Sequence, residues 1–149
     1  MNAEAVERAV RRMAHEIVER ARAAGALHGL ALVGVRRGGV PLAERLRAEI
    51  ARATGVPPPL GTLDIALYRD DLAKRGVAPV VGPTDVPFAV DGRTLVLTDD
   101  VLYTGRTVRA ARDEIVDFGR PRRVWLAVLV DRGGRELPVA ADFAGAHLE

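Results

Sequence analysis

The sequence predicts an α/β domain with a mostly parallel central sheet flanked by helices, and three observations carry that expectation. Short apolar runs alternate with stretches of helical spacing, the order in which parallel strands and their crossover helices follow one another. Glycine and proline stand where each helix has to stop. The chain has 149 residues, 48% of them apolar, which is the size and composition of one domain with one core. A single unit over residues 1–149 is expected, with no internal repeat or linker.

Val6, Val10, Met13, Ile17 and Ala21 recur at three- and four-residue steps, so residues 3 to 24 read as an amphipathic helix ended by Gly25. The run LALVGV (30–35) is continuously apolar, as in a strand buried on both faces. PLAERLRAEIARATG (41–55) has helical spacing through Leu42, Leu46 and Ile50 and stops at Gly55, with Pro57, Pro58 and Pro59 beyond. GTLDIALY (61–68) alternates like a strand, and Arg69 to Arg93 is rich in glycine and proline and reads as a loop. TLVLTD (94–99) is a third strand, residues 107–118 a helix stopping at Gly119, and RVWLAVLVD (123–131) a fourth strand.

Composition removes several functions. There is no cysteine, so disulfides, thiolate zinc sites and cysteine nucleophiles are excluded, in keeping with a reducing cytoplasm. No apolar run reaches membrane-spanning length and the N-terminus is charged throughout, so a cytoplasmic protein without a membrane partner is expected. The pI of 9.6 overstates the basicity, because the net charge is +2 and Lys74 is the single lysine among the basic residues.

The chemistry concentrates in LVLTDDVLYTGRT. In a parallel sheet, ligands sit beyond the carboxyl ends of the strands, where Asp99 and Asp100 fall. Thr104, Gly105, Arg106 and Thr107 then enter a helix through its first turn, whose open N–H groups and positive dipole end attract a phosphate. The loop lacks both GK[ST] and G-x-G-x-x-G, which disfavours nucleoside triphosphates and dinucleotides. Two carboxylates that accept hydrogen bonds from vicinal hydroxyls, beside a phosphate cradle, suit a sugar phosphate such as ribose 5-phosphate.

LVLTDDVLYTGRT resembles the phosphoribosyl-diphosphate signature of the type I phosphoribosyltransferases. With RRMAHEIVER, LDIALYRDDL and the block from Val101 to Phe143, nearly the whole chain is similar to the PyrR family, pyrimidine operon attenuators that also have uracil phosphoribosyltransferase activity. The resemblance implies a type I phosphoribosyltransferase-like fold with a partial C-terminal hood, phosphoribosyl diphosphate and uracil as substrates, UMP as product, Mg2+ bound with the diphosphate, and a homo-oligomer. Asp99 and Asp100 would hold the ribose hydroxyls, and Tyr103, Thr104, Gly105, Arg106 and Thr107 the 5-phosphate. Arg36, Arg37 and Gly38 would bind the diphosphate, and Arg69, in YRDDL, would approach it from a catalytic loop. Phe143 would lie against the base and Ala144 would offer it backbone contacts. Asp131 is a candidate acceptor for the base proton. No residue is assigned directly to the metal.

The family's second activity implies a messenger-RNA hairpin held by a basic face, here Arg11, Arg12, His15, Arg20 and Arg135. Gly134, Ala140 and Ala146 stand where relatives carry a histidine or basic residues, so weakened hairpin binding is expected. The diphosphate loop also departs from the family, with Arg37 and Gly38 where threonine and arginine are usual, and the chain reads as shortened at its C-terminus, where relatives complete the hood.

Overall fold

The computed structural model describes residues 1–65 and 84–148. Helix α1 (Ala3–Ala23) starts at Asn2, whose side chain accepts the Ala5 amide at 2.8 Å, and it buries Val10, Met13, Ile17 and Ala21, the stripe its spacing predicts. Strand β1 (Leu30–Val35) is buried at every residue. Helix α2 (Gly39–Thr54) begins two residues before the expected start, with Pro41 in its first turn, where a missing N–H costs nothing, and it ends at Gly55 with φ 81°. Strand β2 (Leu60–Leu63) follows. Strand β3 spans Thr94–Leu102, helix α3 Arg106–Ile115, strand β4 Arg123–Asp131 and strand β5 Phe143–His147.

Among the described residues, five strands form one sheet in the order β2-β1-β3-β4-β5, and every neighbouring pair is parallel. An isolated antiparallel bridge joins Thr62 to Asp85. Helices α1 and α2 cover one face, packing Met13, Ile17, Leu42 and Leu46 on Leu32, Val96, Trp125 and Phe143. Helix α3 covers the other through Val108, Ala111 and Ile115, against Val33, Leu95, Leu97 and Leu126. Burial on both faces explains why β1 and the first half of β3 read as unbroken apolar runs.

Three boundaries differ from the sequence reading. β2 ends at Leu63, and residues 66–68 of the expected strand lie outside the described residues. β3 runs on to Leu102, because its pairing with β4 continues through Val101↔Val130 and Leu102↔Asp131. The segment ADFAG, read as hood, runs into a strand from Phe143 to His147, since its backbone finds β4 in register although its side chains carry little strand preference.

Glu114, on the inner side of α3, is 2% exposed. Its Oε1 accepts from the Thr84 hydroxyl at 3.2 Å, while the same hydroxyl accepts the Asp64 amide at 2.8 Å; Oε2 has no partner among the described residues. Burial pushes the Glu114 carboxyl above its ordinary range, the Thr84 hydrogen bond opposes this, and the charges of Asp64 and Asp117 add to it. Thr84 thus satisfies groups on both β2's exit and α3. Thr84→Val, which keeps the shape and deletes both hydrogen bonds, is expected to cost about 1–3 kcal/mol in chemical denaturation, and an unchanged midpoint would refute the role.

Candidate active site

The acid pair lies inside the last turns of the β3 ladder, at the carboxyl rim of the sheet. Asp99 is 7% exposed and its Oδ1 accepts the Asp100 amide at 2.8 Å; Asp100 is exposed and its Oδ1 accepts the Val101 amide at 2.8 Å. Burial, with a side-chain hydrogen bond to Asp100 and that residue's charge, pushes Asp99 up to about 7, against the pull of the Asp100 amide. The two carboxylates therefore differ in kind: one desolvated and titrating near neutrality, the other presented to solvent.

The turn after β1 reaches the same rim. The Arg36 amide donates to Leu63 O at 2.7 Å, the Arg36–Arg37 peptide is cis, and the chain then enters α2 through Gly38 and Gly39. A Cβ on Gly38 would fall 2.2 Å from Asp100 Oδ2, so the Asp100 carboxylate lies directly against this glycine. A Cβ on Gly39 would fall 2.0 Å from Thr98 O, and the Thr98 hydroxyl donates to Gly39 O at 2.7 Å. The structure thus brings the acid pair and the basic turn together. Arg36 is half-buried and Arg37 exposed.

On the other side of β3, Gly105 at φ 94° turns the chain into α3. A hollow of about 150 Å³ opens there, lined by Tyr103, Thr104, Gly105 and Thr107 with Val101, Leu102 and Val108. The first helical bond of α3 is Arg109 N to Gly105 O, so the amides of Thr107 and Val108 precede the ladder and are open to an acceptor in the hollow. Thr104 O accepts the amides of Glu136 and Leu137 at 2.9 and 3.0 Å, and Leu137 and Val139 lie against Gly105. The segment between β4 and β5 therefore braces the loop from behind. The Arg106 guanidinium pairs with Glu136 at 3.0 Å, so Arg106 is held as part of that brace.

Other expected site residues fall elsewhere. Phe143 is 3% exposed and belongs to the core, edge-on to Trp125 at 5.8 Å between ring centroids. It pairs with Ala127, one step below the level of Asp99, so it offers no face to a base at the rim; the first residue of a strand beneath a helix is drawn into the apolar layer. The Ala144 carbonyl accepts from Arg12 Nη2 at 3.3 Å, which engages the backbone contact expected for the base. Asp131 stands at the end of β4, bonded to Arg135 at 2.6 Å and to the Gly133 amide at 3.1 Å. Burial works to raise its carboxyl but is outweighed by these bonds and by the charges of Arg135 and His147, so it titrates below its ordinary value and makes a poor proton acceptor. Arg69 lies outside the described residues.

The basic face expected on α1 is engaged with protein groups. Arg11 pairs with Glu7 at 2.9 Å, and Arg12 with Glu16 at 2.8 Å while also donating to Gly145 O at 2.7 Å. Arg20 lies 3.3 Å from Asp142 and stacks 4.8 Å from the Trp125 ring centroid. His15 is exposed. Arg135 is turned inward, donating to Tyr103 O, Val139 O and Asp131, and so is a structural clasp instead of a surface cation. Two participants were missed by sequence reasoning. Gly39 was legible, since the Gly-Gly pair signals close backbone approach, whereas Glu136 gave no signal because its partner is 30 residues away.

An acid pair flanked on one side by a basic glycine turn and on the other by a phosphate-sized helix entrance is the layout that a transferase of phosphorylated pentose requires. The phosphoribosyl transferase domain family matches residues 1–146. The hypoxanthine phosphoribosyltransferase of Trypanosoma cruzi in complex with the product IMP has the same fold, with a TM-score of 0.74 at 19% identity over 97% of this chain and 72% of that one. The bifunctional protein PyrR of Roseiflexus sp. (strain RS-1) is 56% identical over 99% of this chain and 79% of its own length. That of Chloroflexus aurantiacus is 57% identical over 99% and 80%, and that of Thermus thermophilus 55% over the same shares. The chain belongs to the PyrR family of phosphoribosyltransferases.

Proposed function

We propose that the protein transfers ribose 5-phosphate from phosphoribosyl diphosphate to uracil, releasing diphosphate and forming UMP in the cytoplasm. The observation that carries this reading is the contact of the Asp100 carboxylate with Gly38, which joins a ribose-binding acid pair to a diphosphate-binding turn on one rim. Thr104–Thr107 receive the 5-phosphate through the hydroxyls and the open α3 amides. Asp99 and Asp100 accept hydrogen bonds from the ribose hydroxyls and fix C1 between the two anion sites. Arg36 and Arg37 bind the departing diphosphate, whose charge grows as the C1–O bond opens toward an oxocarbenium-like state. Uracil N1 then attacks C1. No side chain acts as a nucleophile.

Mg2+ takes oxygen ligands, one or two carboxylates together with substrate phosphates, and the exposed Asp100 carboxylate beside the diphosphate turn is a donor of that type. When bound, the ion shields the diphosphate. Asp100, with Asp99 behind it, would hold it.

Incubation with phosphoribosyl diphosphate, magnesium and each of uracil, orotate, hypoxanthine, guanine and adenine tests the reading. UMP from uracil alone is expected, and nucleotide from a different base, or none, would overturn it. Thr107→Ala should weaken phosphoribosyl-diphosphate binding by about 1–3 kcal/mol in calorimetry, with the melting temperature unchanged because Thr107 is exposed. Equal affinity would reject Thr107 as a phosphate ligand.

The name that the relatives carry, bifunctional, supports a second reading alongside the first: attenuation through an mRNA hairpin. The pairing of Arg11, Arg12, Arg20 and Arg135 supports weak, salt-sensitive binding on the α1 side.

A further inference from the structure

Glu114 takes no part in the site described above, yet it carries a cost that packing does not explain. It lies in the last turn of α3, 2% exposed, with Oε2 unpartnered among the described residues. A leucine there would fill the same space and leave no carboxyl oxygen unsatisfied. Burial favours the neutral carboxyl, against the Thr84 hydrogen bond and with the charges of Asp64 and Asp117. What the carboxyl supplies is a directional acceptor.

That acceptor stands on a line of contacts between the two anion sites. Glu114 Oε1 accepts from the Thr84 hydroxyl at 3.2 Å, and Thr84 Oγ1 accepts the Asp64 amide at 2.8 Å. Asp64 follows Leu63, the last residue of β2, whose carbonyl accepts the Arg36 amide at 2.7 Å where the diphosphate turn begins. Thr84 is itself fixed to β2, because its neighbour Asp85 bridges Thr62 along that strand's outer edge. At the far end of the line, α3 opens at Gly105 on the phosphate hollow. The ten residues of α3 form one short rod, so a shift at Glu114 is carried to that hollow. Val108, Ala111 and Ile115 seat the rod on the sheet, but apolar contact has no direction and tolerates sliding. A hydrogen bond does not.

We propose that Glu114 is a positioning residue for the transfer, fixing through Thr84 and the exit of β2 the distance between the phosphate entrance of α3 and the diphosphate turn. The inference rests on the assignment of those two anion sites above and places no contact between Glu114 and the substrate. Phosphoribosyl diphosphate carries both anions on one sugar ring, so its span is covalent and the protein has to match it. Once one anion is held, filling the other site is intramolecular, and its strength depends on how well the sites are spaced. Ligands that fill one site alone do not sense the spacing.

The test is calorimetry on the full chain, in magnesium, with phosphoribosyl diphosphate, ribose 5-phosphate and inorganic diphosphate as separate ligands. Glu114→Leu, which keeps the volume and deletes the acceptor, is expected to bind phosphoribosyl diphosphate about tenfold more weakly and the two single-site ligands as the parent does. The KM for phosphoribosyl diphosphate should rise by the same factor and that for uracil should stay. Glu114→Gln keeps the Oε1 acceptor and the neutral shape, so it should restore parental values. Thr84→Val deletes the same bond from the other partner and should repeat the Glu114→Leu pattern; it carries the comparison if Glu114→Leu does not fold. Parental affinity for phosphoribosyl diphosphate in these two variants would overturn the proposal, as would an equal loss for the single-site ligands or a Glu114→Gln variant that fails as Glu114→Leu does. A parent that binds phosphoribosyl diphosphate no more tightly than ribose 5-phosphate would overturn it together with the two-site assignment. Transfer to a base other than uracil would overturn that reading alone and leave this one standing.

Discussion

Replacing Gly38 by alanine is expected to cut phosphoribosyl transfer about 100-fold while the fold survives, the scale of loss that small displacements of reacting groups produce. The new Cβ would sit 2.2 Å from Oδ2 and 2.3 Å from Cγ of Asp100, and what must yield is the end of an exposed side chain. The carboxylate swings out of the rim, so the ribose loses a ligand and the diphosphate turn its neighbour. Gly39→Ala should behave differently. There the Cβ meets Thr98 O at 2.0 Å and Thr98 C at 2.7 Å, backbone atoms of a central strand. Helix α2 would have to lift off β3 and the Thr98–Gly39 hydrogen bond would stretch, with an expected cost of about 3 kcal/mol, the upper end of ordinary overpacking. Thermal melting together with turnover separates the two: normal melting with lost activity for Gly38→Ala, a lowered melting temperature for Gly39→Ala. Normal turnover in Gly38→Ala would remove the shared rim from the mechanism.

The second large effect is on the pH dependence of stability. Asp99 titrates at about 7 in the folded chain, against an ordinary value of 3.8. Between those values the native state holds a proton that the unfolded chain has released, so stability falls as pH rises through this window and levels off above it. Asp99→Asn keeps the shape and the acceptor for the Asp100 amide, and removes the titration. The variant should gain on the parent by about 2 kcal/mol between pH 5 and pH 8 in chemical denaturation, because each pH unit inside the window is worth about 1.4 kcal/mol and solvent relieves part of it. A difference that stays constant across that range would show that Asp99 is ionised at ordinary pH.

Much of the fold was legible because local chemistry and tertiary need agree. The α1 stripe, the Gly55 stop and the buried runs of β1 and β3 each report the periodicity that their burial demands. The phosphate loop was legible for the same reason, since a glycine at positive φ opening a helix is both its sequence sign and its mechanism. β5 escaped, because FAGAH becomes a strand only through its ladder with β4, and no periodicity of its own announces that pairing. Phe143 and Asp131 were read as base contacts, but an aromatic ring or a carboxylate has no role until its surroundings are known. Trp125 draws one into the core and Arg135 clasps the other.

By itself the sequence determined the order of strands and helices, the acid pair, the anion-binding helix entrance and the family, all properties of residues near one another in the chain. Tertiary structure alone decided that Asp100 rests on Gly38, that Asp99 is desolvated to titrate near neutrality and that Arg20 is paired with the distant Asp142. Burial and electrostatic pairing depend on which distant residues arrive within a few ångströms, and that is settled by packing of the sheet and not by any local pattern.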